Sequence, residues 1–135
     1  MQPRFLFAPA LALGLCAALP AHALTKEDAA NNLMLLIGAR NEATFCEPFG
    51  KTAVKSLMKW EARHQAVFDL STKTIEDAAV ATGALPRERA SEAPMLLLAR
   101  LQGRYDREIA PTRKQSHCAV FDDSLEVYGR GLRAK

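Results

Sequence analysis

The chain has 135 residues, 49% of them hydrophobic, with 18 Lys+Arg against 15 Asp+Glu. That near balance gives no case for nucleic acid or an anionic membrane as the main partner, since either calls for a clustered basic surface. Here the cations are scattered among acids, and only Arg113-Lys114 stand side by side.

The chain opens on MQPR, runs through FLFAPALALGLCAALP, and reaches the small-x-small triplet Ala21-His22-Ala23. This three-part pattern predicts a secretory signal peptide over 1–23, cut after Ala23. The alternative is an uncleaved anchor. Pro9 and Gly14 interrupt the apolar run, which is shorter than the ~20 apolar residues of a spanning helix. No stable membrane span is therefore expected once the signal is removed. Cys16 raises a lipoprotein reading, but Leu15 is bulky where a small residue belongs, so Cys16 is expected to leave with the signal. Arg4 is the only charged residue of that segment, so residues 24–135 keep 17 Lys+Arg against 15 Asp+Glu, a net charge of +2. These 112 residues suit a single helical domain with one modest core. The predicted location is the periplasm, or secretion beyond it.

Thr25 is placed to cap a first helix over 26–46, with Glu27 and Asp28 in its first turn, where the helix dipole favours acids. Leu33, Met34, Ile37 and Asn41 follow at helical spacing, and Pro48 with Gly50 breaks the chain. A second helix follows Gly50, with Val54, Leu57, Met58, Glu61, Gln65 and Phe68 on one side. Ala53, Trp60, His64 and Val67 widen that surface. Ser71 or Thr72 is read as the cap of a short third helix carrying Ile75, Ala78 and Ala79, which Gly83 stops. Residues 84–93, ALPRERASEA, form a polar connector. Ser91 and Pro94 then start a helix with Met95, Leu98, Leu101 or Gln102, Tyr105 and Ile109 inward, ended by Pro111. The last helix runs through Cys118, Phe121, Leu125 and Tyr128, and Gly129 and Gly131 close it. With no alternating segment and no repeat, the fold class is all-α: a compact bundle of four or five helices.

Cys46 and Cys118 are the two cysteines that remain after the signal. An even count in an exported chain reads as a disulfide, which here joins the first and last helices. A redox catalyst would want Cys-x-x-Cys, and neither cysteine has so close a partner. A thiol nucleophile would want a base, and His117 adjoins Cys118 only in sequence. A zinc site drawn from Cys46, Cys118, His64 and His117 lacks paired ligand spacing. No metal and no cofactor are expected.

Phosphate loops, zinc-protease helices, hydrolase elbows and haem attachment motifs do not occur. Glu61 and His64, three apart on one helix beside Trp60, are the acid–base candidates, although such i, i+3 pairs are commonly ordinary helix-surface pairs. Glu42 and Glu47, five apart across the end of the first helix, are the carboxylate pair a glycosidase would need, although two glutamates near a helix end are usually just solvated. Phe45 and Phe49 flank Cys46 and Pro48, and such a loop is either tucked under the disulfide or offered to a partner. With Arg87 and Arg89 of the connector they make the candidate binding surface. The function expected from these residues is binding of another envelope or secreted protein, as an inhibitor, an immunity-type neutraliser or an assembly accessory. Whether the protein is an enzyme stays open. The rivals are a small hydrolase using Glu or His, and a carrier that holds an apolar molecule between its helices beside Met34, Met58 and Met95.

Overall fold

The computed structural model describes residues 23–50 and 52–135. The expected signal up to residue 22, Cys16 included, lies outside the described residues. Four helices follow one another: α1 (Lys26–Cys46), α2 (Ala53–Ala81), α3 (Glu92–Glu108) and α4 (Phe121–Gly131). Short 3-10 turns occupy Arg87–Arg89, Ala110–Thr112 and Gln115–Val120, and no strand occurs among the described residues. The architecture is all-α.

Helix α1 starts where Thr25 predicts. The Thr25 hydroxyl accepts the Asp28 N–H at 3.0 Å, with Glu27 and Asp28 in the first turn. Its buried positions are Ala29, Asn32, Leu33, Leu36, Ile37, Ala39, Ala43 and Cys46, an arc too wide for a surface helix. α1 is the central helix and packs against each of the other three. The alanines allow that close approach, while Leu33, Leu36, Trp60 and Phe68 supply the bulk of the core. Burying a side chain of that size contributes about 1.5–3 kcal/mol.

The expected break at Ser71 is absent: α2 is one continuous helix of 29 residues. Nothing between Ala53 and Ala81 is glycine or proline, so the helix has no reason to stop. The Ser71 hydroxyl instead donates to the Val67 carbonyl at 2.8 Å, the back-bond that lets serine sit inside a helix. At the start, Glu47 takes over the capping role: its Oε2 accepts the Val54 N–H at 3.2 Å. At the end, Gly83 adopts φ 70°, while the N–H groups of Gly83 and Ala84 donate to the carbonyls of Val80 and Ala79. This is a Schellman stop, and it needs a residue at ease with positive φ.

α3 buries Tyr105 and packs Leu97, Leu98 and Leu101 on the core, but Met95, expected inward, is 70% exposed. α4 begins at Phe121, so Cys118 sits in the 3-10 turn before it rather than within it. The Cys46–Cys118 disulfide closes at a Cα–Cα distance of 5.2 Å and fastens the end of α1 to the approach of α4. Gly129 brings α4 against α2: a Cβ there would stand 3.1 Å from His64 Nε2 and 3.3 Å from Trp60 Nε1.

One polar node lies in the core. Asn32 and Ser71 are fully buried, and the Asn32 amide donates to Ser71 Oγ at 2.9 Å and to the Arg133 carbonyl at 2.7 Å. Its oxygen accepts the Arg133 N–H at 2.9 Å. The chain end after α4 is thus tied to α1 by side-chain bonds that mimic a strand pair.

Candidate functional site

The four residues offered as a binding surface do not come together. Phe45 and Phe49 lie where α1 ends and α2 begins, while Arg87 and Arg89 lie in the α2–α3 connector at the far end of α2. A helix of α2's length spans about 40 Å. Phe45 is half-buried, with the Arg113 guanidinium 4.7 Å above its ring. Phe49 rests on Phe45 at 5.8 Å between centroids and is itself 51% exposed. One phenylalanine is tucked in and the other is presented to solvent. Arg89 is held in a fork by Glu92, with both bonds at 2.7 Å. That fork draws the Glu92 carboxyl below its ordinary range.

The acid–base candidates are engaged in holding helices together. Both oxygens of Glu61 accept from Arg40, at 2.7 and 3.3 Å, which ties α2 to α1. His64 packs on Trp60 at 5.2 Å. Burial lowers its pKa first and the neighbouring Arg63 charge second, while Glu126 opposes them. Glu42 accepts a 2.6 Å bond from the Tyr128 hydroxyl; burial, then that bond, pushes the tyrosine upward. Glu47 caps α2. Glu61, Glu42 and Glu47 therefore each have a structural partner within the fold. Among the described residues, no group of three or more His, Cys, Asp or Glu is placed to hold a metal.

The methionines do not surround a shared cavity, because Met58 is 65% exposed and Met95 70%. No helix among the described residues is long and apolar enough to cross a membrane.

The residues that sequence periodicity missed lie on the outside of α2. Its buried positions are Ala53, Leu57, Trp60, Phe68, Ser71 and Ile75, which turns Val54 and Met58 away from the core rather than into it. Val54, Met58, Ala62, Ala66 and Leu70 follow one another at i, i+4 spacing, and all five are exposed. They form an apolar ridge, the unit that one helix lays into the groove of another. The flanking row on one side carries Lys55, Lys59 and Arg63. Arg63 is paired with Glu126 at 3.0 Å. Lys55 and Lys59 meet no carboxylate within 4.0 Å among the described residues. The signal for the ridge was present in the sequence as an unbroken apolar i, i+4 series on a helix that also carries Leu57 and Trp60.

The comparisons with known proteins are negative: no family model matches the chain, and no curated protein or solved structure matches it.

Proposed function

We propose that this protein works by binding another protein, in an oxidising compartment outside the cytoplasm, after loss of residues 1–23. The observation that carries the reading is the exposed ridge of α2, from Val54 through Met58 and Ala62 to Leu70. Among the described residues, five apolar positions in one row on this helix stay exposed. Such a row suits a partner helix laid across it, with apolar side chains entering on either side of Ala62 and Ala66. Lys55 and Lys59 beside the row favour a partner with acids on that flank. The disulfide supports the choice of compartment, since such bonds persist where glutathione and thioredoxin do not reduce them.

The test is co-purification of the oxidised chain with an envelope extract of its host, next to Met58→Asp and Ala62→Glu. Both positions are exposed, so the fold should survive, and circular dichroism checks that. A stoichiometric partner held by the parent chain and lost by both variants supports the reading. Retention of that partner by the variants, or no partner at all, overturns it.

A further inference from the structure

A groove of about 290 Å³ opens at the other end of the molecule from the disulfide. The first turns of α1, the last turns of α2 and the first turns of α3 line it. Ile75 and Ala79 form the floor, and Leu97 and the 52% exposed Leu96 form one wall. Among the described residues, the charged side chains on its lining are Lys26 and Arg100. Both are exposed, and neither meets a carboxylate within 4.0 Å among the described residues.

An apolar floor alone would accept any hydrophobe. Two cations on the rim with no acid in the lining make it selective by charge: the chain of an amphiphile can lie on the aliphatic surface while its head meets Lys26 and Arg100. We infer that this groove binds a free, single-chain aliphatic carboxylate. The size sets the length. A water molecule's share of liquid volume is about 30 Å³ and a methylene displaces roughly that, so the groove accommodates about eight to ten carbons. The site is independent of the α2 ridge, whose residues do not line it.

Isothermal titration calorimetry on the oxidised chain, with hexanoate, octanoate and decanoate below micelle formation, reads this directly. Affinity is expected to rise about threefold to fourfold per methylene and to level off once the groove is full. Decanol and decyltrimethylammonium, with the same tail and no anionic head, should bind more weakly. Lys26→Ala and Arg100→Ala should each weaken decanoate by roughly twofold to fivefold, the scale of an exposed ion pair, while leaving decanol unchanged. Leu96→Asp should abolish the chain-length dependence, and Met58→Asp should bind decanoate as the parent does. Equal affinity for the three head groups overturns the inference, as does affinity without chain-length dependence. Adsorption to anionic phospholipid vesicles that depends on Lys26 and Arg100, without binding of free decanoate, also overturns it and makes the face a membrane contact.

Discussion

Replacing Asn32 with alanine tests whether the buried polar node ties the chain end to the bundle. Asn32 makes three hydrogen bonds, two to Arg133 and one to Ser71, each worth about 1 kcal/mol net. The Arg133 side is exposed, so its freed N–H and carbonyl recover water. Ser71 keeps its bond to the Val67 carbonyl. The loss should therefore be about 2–3 kcal/mol, below the worst case for orphaned buried groups. For a domain of this size that corresponds to a fall in Tm of roughly 10–15 °C. Urea denaturation followed by circular dichroism measures it, and a double-mutant cycle isolates the tether: Asn32→Ala, a chain ending at Leu132, and both together. If the tether is the role of Asn32, the two changes are non-additive by at least about 1 kcal/mol. A loss below about 1 kcal/mol for Asn32→Ala, or additivity within about 0.4 kcal/mol, would show that Asn32 does not tether the chain end.

Cys46→Ser with Cys118→Ser opens a link between residues 72 apart, and chain entropy places the loss at roughly 4 kcal/mol; equal denaturation midpoints for reduced and oxidised chains would contradict it. Two glycine-to-alanine changes should have opposite signs. Gly103→Ala adds a methyl that meets only the mobile end of Arg107 and should stabilise by about 0.5–1 kcal/mol through helix propensity. Gly129→Ala drives its methyl against buried Trp60 and half-buried His64, and overpacking of about 1–3 kcal/mol outweighs the propensity gain. The same melting assay ranks both. His64 has a folded pKa lowered from 6.5, so the unfolded chain binds the proton more readily. Its contribution is complete above pH 6.5 and is lost as pH falls below that value toward the lowered one. His64→Gln should flatten stability across that window, and an unchanged slope would remove the assignment. Tyr128 is displaced upward, so the unfolded chain ionises first and stability should fall as pH rises past about 10, less steeply in Tyr128→Phe.

Local signals account for what was legible in the residues alone. Thr25 with its acids, Pro48 with Gly50, and Gly83 act within a turn of themselves, and each helix boundary they predict is observed. The disulfide was equally legible, because the two cysteines beyond the expected signal, Cys46 and Cys118, admit one pairing. The α2 face was not. Its apolar arc is wider than the part that packs, so periodicity placed Leu57 and Met58 together, while contact with α1 and α4 kept Leu57 and Trp60 and left Val54 and Met58 outside. Of the candidate surface, the loop left open whether Phe49 is tucked in or presented, and packing left it 51% exposed; its separation from Arg87 depends on the length of an α2 that does not break at Ser71. Asn32, Glu42 and Glu61 carried no sign of their partners in the sequence, since Arg133, Tyr128 and Arg40 lie 101, 86 and 21 residues away. The residues alone set the all-α class and the helix ends at Thr25 and Gly83, through backbone chemistry within a few residues, but not the unbroken course of α2 past Ser71 or the start of α4 after Cys118. Which face each helix buries, which polar groups pair and where an aliphatic groove opens were decided only by tertiary packing, because they depend on neighbours the chain meets after it has folded back on itself.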